Sequence, residues 1–312
     1  MQDLLHREAA SKADPPMMST ASQVVSAPDR ERPGFRRGAI LPAAALLAAC
    51  AAASASAPVS EPTTAVAEPV RQDLEFKLEA GQSVHIDNPY GSVFLRFGGY
   101  EHQLGLHTTL QQPAQAAPIE FAPRATERGF EIAPRLAKGA AVAPGQRFDL
   151  VAYVPQQHAV DARTLDGVIE SRGLKSDLSM RSESGDLAAR GSEGLVQAET
   201  ASGSIEVAFA AAAAKGSRQR LATRTGAIIV GVTDALDAEV QLASSAPFAT
   251  DYSLEVSSHP GQEPNKTALA RIGKPDPKQP SILELHSLRG EIRLLRRAVY
   301  VDAPVATPAP SG

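Results

Sequence analysis

Six glycines, Gly91, Gly167, Gly185, Gly203, Gly226 and Gly290, share one local pattern, and it restricts what this chain can fold into more than any other feature. Three residues before each stands a small hydrogen-bonding side chain: Asn88, Thr164, Ser182, Thr200, Thr223 and Ser287. Five before each is apolar (Ile86, Ala162, Met180, Ala198, Leu221, Leu285), and two after each is a β-favouring aliphatic (Val93, Ile169, Leu187, Ile205, Ile228, Ile292). Seven before, the set is Val84, Val160, Leu178, Val196, Gln219 and Leu283, with Gln219 the exception. Alternating apolar positions on both sides describe strands with one buried face. A glycine at a fixed place between two such strands marks a corner that needs positive φ or a close backbone approach.

Each unit therefore reads as strand, glycine corner, strand. The spacing is 18 residues from Gly167 to Gly185, 18 again to Gly203, then 23 to Gly226. Two strands of about five residues and two corners account for such a length of chain. A unit this small cannot bury its apolar face alone, so its neighbours must stack on it. The expected fold is all-β: a parallel β-solenoid, β-helix or β-roll in kind, with coils of about 18 residues. The residues three before each glycine would stack as a Ser/Thr/Asn ladder near the corner. An antiparallel β-sandwich also uses short alternating strands, but the regular register favours the solenoid.

The solenoid is expected over residues 73–300 and is clearest from Arg147 to Val232. Residues 148–155 read as a strand leading into the repeats. Residues 100–146, rich in Ala, Pro and Gln, and 233–280, with Pro247, Pro260, Pro264, Pro275, Pro277 and Pro280, read as irregular insertions or edge elements. Residues 282–295 return to strand. Hydrophobic residues make up 43% of the chain, yet aromatics are only 4% and Trp is absent, so the core must be built from Val, Leu, Ile and Ala. That suits stacked strands better than a pocket lined with rings.

Upstream, Arg36 and Arg37 precede an apolar run that ends Leu47-Ala48-Ala49-Cys50. A basic region before a short apolar run is the pattern of a secretory signal, and this run is too short and Ala-rich for a membrane span. Its end resembles the bacterial lipobox, in which an aliphatic residue and two small residues precede a cysteine that is alkylated by diacylglycerol. Cys50 is the only cysteine, which excludes an internal disulfide and any multi-cysteine metal site. The expected organisation is a signal peptide over 1–49, a flexible Ala/Pro/Ser linker over 50–72, the domain, and a disordered tail over 301–312. The start is left open between Met1, Met17 and Met18. Ala51 follows the cysteine rather than Asp, which by resemblance does not signal inner-membrane retention. The expected address is the bacterial envelope, lipid-anchored at the outer membrane and facing the periplasm or the cell surface. The membrane is then one partner, reached through the lipid.

The net charge is −4; without the first 49 residues, which hold six basic and five acidic side chains, it is about −5. No basic stripe appears, which argues against nucleic-acid binding.

The run Asp149-Leu150-Val151 through Val154-Pro155, then Thr164-Leu165-Asp166-Gly167-Val168-Ile169, Ser184-Gly185-Asp186-Leu187 and Ala201-Ser202-Gly203-Ser204-Ile205, resembles the bacterial DUF4097 family. Its members are described as candidate adhesins. The resemblance covers residues 80–300, and its motifs form repeats rather than active sites. It implies a fold and an adhesive role, and it brings no catalytic residues.

Residues able to carry chemistry are sparse along the chain. His85, His102, His107, His158, His259 and His286 are scattered and read as strand-surface residues. No G-x-S-x-G elbow, P-loop or H-E-x-x-H occurs, and Gly191-Ser192-Glu193-Gly194 reads as a turn. Glu183, Asp186, Glu193 and Glu199 read as solvated charges rather than a glycan-cleaving pair. Asp166-Gly167 and Ser184-Gly185-Asp186 suggest calcium turns only superficially, because the acid does not recur at one register. No catalytic residue, cofactor or metal is assigned. The functional expectation is a non-catalytic adhesin-like or scaffolding module for an envelope protein or glycan. The alternative is a polysaccharide-cleaving β-helix enzyme.

Overall fold

The alternation of apolar and polar positions produces strands throughout the 68–209 and 214–297 segments that the computed structural model describes. Cys50, the residues expected as signal and tail, and all but the end of the linker lie outside them. The N-terminal part contains β1 (Val70–Lys77), β2 (Val84–Asn88), β3 (Val93–Phe97), β4 (Gln103–Gln111), β5 (Ile119–Glu120), β6 (Arg124–Thr126), β7 (Gly129–Ile132), β8 (Arg135–Leu136) and β9 (Arg147–Val154). The regular middle holds β10 (Val160–Thr164), β11 (Ile169–Arg172), β12 (Leu178–Ser182), β13 (Leu187–Ser192), β14 (Val196–Thr200), β15 (Ile205–Phe209), β16 (Arg218–Thr223) and β17 (Ile228–Val232). Then come a 3-10 turn at Asp234–Leu236, β18 (Ala238–Ser244), β19 (Phe248–Thr250), β20 (Glu255–Ser258), β21 (Lys266–Ile272), β22 (Ser281–Ser287) and β23 (Ile292–Arg296). β1 starts at Val70, so the last three residues of the expected linker already belong to a strand.

Among the described residues the fold is all-β, with two large sheets. The first runs β1-β4-β9-β3-β11-β13-β15-β17-β23-β19, the second β20-β21-β18-β22-β16-β14-β12-β10-β2-β7-β6. Both are mixed rather than parallel throughout, which departs from the uniform parallel solenoid expected over 73–300. Parallel pairing holds in the middle, where β10 aligns with β12 as Val160↔Leu178 to Thr164↔Ser182, a register of 18 residues. Antiparallel pairing takes over at the ends, in β1–β4, β4–β9, β6–β7, β18–β21 and β20–β21. The physical reason is connectivity: a short corner can only carry the chain to the other sheet, whereas the long insertions fold back on themselves as hairpins.

The six aligned units each place one strand in the second sheet and the next in the first, with the glycine between. Their inward residues meet in one core: Ile86, Ala162, Met180, Ala198, Leu221 and Leu285 from one sheet, and Val93, Ile169, Leu187, Ile205, Ile228 and Ile292 from the other, all at 2% exposure or less. Burying a side chain of this size stabilises by about 1.5–3 kcal/mol. Hairpins shield the parallel part at both ends of the second sheet and at the N-terminal end of the first, whose other edge is the short strand β19; open edges would offer unpaired backbone groups.

Chain order and spatial order diverge at the ends. β22 lies between β16 and β18, and β23 between β17 and β19, so the last repeat to be synthesised fills the penultimate level. At the other end β9 lies outside β3, and β7 outside β2.

Candidate functional site

The glycine corners hold the two sheets together and leave the outer faces for other work. None of the six glycines has a left-handed φ. They are required by close approach instead: a Cβ on Gly185, Gly203, Gly226 or Gly290 would overlap the carbonyl oxygen of the glycine one level below. Gly167 abuts the Gly91 carbonyl in the same way, and Gly91 abuts that of Phe148.

The residues three before each glycine lock this column. Thr200 Oγ1 accepts from the N–H of Gly203 at 3.2 Å and donates to the carbonyl of Gly185 at 3.2 Å. Thr223 does the same with Gly226 and Gly203, and Ser287 with Gly290 and Gly226. Ser182 accepts from Gly185, while Thr164 Oγ1 donates to the carbonyl of its own Gly167. Asn88 closes one end by donating to the Phe148 carbonyl at 2.9 Å. Ser244, which has no place in the repeat, closes the other by donating to the carbonyl of Gly290 at 2.8 Å. A hydroxyl is suited to this position because it can accept and donate at once. The exceptional Gln219 is also explained: its side-chain oxygen accepts from Val196 N–H at 2.8 Å, at the level where five extra residues break the 18-residue register.

With the interior given over to packing, ligand chemistry falls to the outer faces. On the second sheet the outward residues line a trough that crosses the strands. At one end the β6–β7 hairpin stands beside His85, Asp87, Asp161 and Arg163 and borders an open concavity of about 660 Å³. At the other, β20 and β21 with Arg220, Gln241, Glu284 and His286 border an open concavity of about 590 Å³. Between them two shallower concavities continue the trough, sharing Ser179 and Gln197 with each other, His85 and Asp161 with the first end, and Arg220 with the second.

The ends of the trough are tied by ion pairs. Arg163 meets Asp161 at 3.0 Å and Arg135 meets Asp87 at 2.9 Å. Glu284 takes both Arg218 and Arg220. Burial, with the nearby Arg220 charge, holds His286 below the usual histidine range, and Glu284 opposes this. The centre differs: Ser179, Gln197 and Glu199 make no side-chain hydrogen bond among the described residues, although Ser179 and Gln197 border two concavities each.

The histidines are not uniformly surface residues. His158 is fully buried, where its Nδ1 lies 2.7 Å from the Gln82 carbonyl and its Nε2 lies 3.0 Å from His102 Nδ1. His107 pairs instead with Asp73 at 2.6 Å. Nothing in the local sequence announces the His102–His158 contact, which joins two loops 56 residues apart.

The four carboxylates considered for glycan cleavage occupy different places. Glu183 and Asp186 stand at the glycine corner, where Asp186 accepts from Ser204 N–H; Glu193 faces Lys175 across 3.8 Å at the opposite corner, and Glu199 lies on the second sheet. Among the described residues no three His, Cys, Asp or Glu are grouped to hold a metal ion, and no helix is long and apolar enough to cross a membrane.

No family model matches the chain, and no curated protein matches it, so the DUF4097 resemblance rests on the residues quoted for it. Among solved structures the chain is similar to a candidate cell adhesion protein from Clostridium sporogenes, at 8% identity over 73% of this chain and 100% of that one, with a TM-score of 0.43. A candidate adhesin from Bacteroides fragilis is 10% identical over 73% and 97%, with a TM-score of 0.38. A candidate lipid binding protein from Parabacteroides distasonis is 10% identical over 73% and 97%, with a TM-score of 0.28. At these scores the likenesses carry no argument about what this chain binds.

Proposed function

We propose that the chain is a non-catalytic adhesion or scaffolding module of the bacterial envelope. In this reading the parallel middle is a short solenoid, tethered through a lipid on Cys50 and spaced from the membrane by the residues before Val70. The observation that carries it is the trough on the second sheet: a row of adjoining concavities with mixed polar and apolar lining that crosses the parallel strands, with a hairpin at each end. A rigid sheet places such groups accurately without itself rearranging, which suits binding.

A pull-down from solubilised envelope with the mature chain as bait tests the reading. A partner retained by the native chain and lost when Gln197 and Arg220 are replaced by alanine is the expected result. Hydrolysis or lyase activity abolished by a single carboxylate substitution would overturn it. For the tether, Cys50→Ala should move the protein from the membrane fraction to the soluble fraction; continued tight association would refute the lipid.

A further inference from the structure

We propose that the trough binds a linear pyranose polysaccharide laid along the stacking direction, with one sugar per strand level; this rests on the trough being the binding site. Three observations lead to it. The first is spacing. From β2 to β18 the second sheet takes six steps between parallel neighbours. At about 4.8 Å each they span roughly 30 Å. A pyranose ring in an extended chain advances by a similar length, so each sugar meets the same pair of outward positions. An extended polypeptide advances only about 3.4 Å per residue and falls out of step within a few strands.

The second is hydrogen-bonding character. Ser179 and Gln197, at the centre of the floor, offer a hydroxyl and an amide without internal partners among the described residues, and Glu199 adds an acceptor. Sugar hydroxyls both donate and accept, which matches this mixture. Arg181 beside them is held, among the described residues, only by a long contact of 3.9 Å to Asp161. The ends, already tied in ion pairs, add charge balance rather than a uniform field, which disfavours a polyanion.

The third is the lining itself, which contains no Phe, Tyr or Trp. Protein partners are usually anchored by buried aromatic or large apolar side chains, and the floor offers no pocket centred on one. Without a ring to stack on, each sugar contributes little, so affinity must accumulate with length.

The test is calorimetric titration of the full chain with oligomers of two to eight units in two neutral series, β-1,4-linked glucose and β-1,4-linked N-acetylglucosamine. In one series the affinity should rise with each added unit to about six or seven and then level off, with the monosaccharide showing no measurable binding. Gln197→Ala and Glu199→Ala, both on the exposed face, should each weaken the hexamer about tenfold, the effect of losing one hydrogen bond to a polar or charged group. Glu206→Ala on the opposite sheet should leave it unchanged. Melting curves of the variants check that folding is intact. No binding in any series, binding independent of length, or binding indifferent to Gln197 and Glu199 would each overturn the saccharide assignment. Capture of a protein partner that Gln197→Ala abolishes would overturn it too, while leaving the trough as the binding site. Capture indifferent to both substitutions would remove the trough as well.

Discussion

Between β10 and β17 each strand pairs in parallel with the strand one coil away, and a glycine column and a hydroxyl ladder repeat at every level. At the two ends the chain doubles back, the pairing turns antiparallel, and no residue type recurs at a fixed position. The contrast teaches where each part is vulnerable. In the middle one geometry is copied from level to level, so a single substitution in the column strikes a backbone that cannot yield. At the ends, turns and ion pairs face solvent and can relax.

Four tests sharpen that contrast. The largest effect is expected from Gly203→Ala, whose Cβ would press on the Gly185 carbonyl at less than 3.0 Å. Backbone must move on both levels, and a loss of about 3–5 kcal/mol should appear in chemical denaturation. Gly261→Ala in the β20–β21 turn has open space around it and only a left-handed φ of 83° to resist it, so its cost should be about 1 kcal/mol. Equal losses at the two sites would erase the distinction between middle and ends.

Thr200→Val comes next. It keeps the shape but strands the Gly203 N–H and the Gly185 carbonyl in the interior, for about 2–3 kcal/mol. Thr250→Val near the C-terminal end removes only an acceptor for Tyr252 N–H and should cost under about 1 kcal/mol. Ser244→Ala probes the junction. The loss of the bond to the Gly290 carbonyl and of an acceptor for Ala246 N–H should destabilise by about 1–2 kcal/mol. Amide exchange should accelerate in β18 and β22 before it does in β12.

The smallest effect is a pH dependence confined to the C-terminal end. Burial, first, and Arg220 lower the folded-state pKa of His286, while in the unfolded chain it titrates near the ordinary value of about 6.5. As pH falls through that value the unfolded chain binds the proton first, so stability is full above it and declines below it, down to the folded-state pKa. Partial exposure keeps the loss under about 1 kcal/mol. His286→Gln should flatten the decline in thermal melts between pH 7 and pH 5.

How much was legible in the chain follows the same division. Asn88, Thr164, Ser182, Thr200, Thr223 and Ser287 could be aligned because each contacts its counterpart one coil away, and equal contacts leave equal residues at equal intervals. The left-handed turns that the repeat contains were less legible. They fall at Gly173 and Gly191, on the opposite corner, whereas the aligned glycines serve close approach. Ser244 and His158 gave no periodic signal, because each is used once and its partner lies 46 or 56 residues away. The trough was equally silent, since its walls are hairpins contributed by the insertions that read as irregular.

Those same six glycines mark the boundary between what sequence and tertiary structure each contribute. The sequence by itself determined the 18-residue register of the middle strands, the inward residues, the corner column and its hydroxyl ladder, because these are set by contacts between neighbouring copies of one short pattern. Only the tertiary structure decided that β22 and β23 slot in beneath β18 and β19, that both ends turn antiparallel, and that one outer face is walled into a trough. Those features depend on closing long loops, whose pairing is chosen by the shape and hydrogen bonding of the assembled sheets and leaves no repeated trace along the chain.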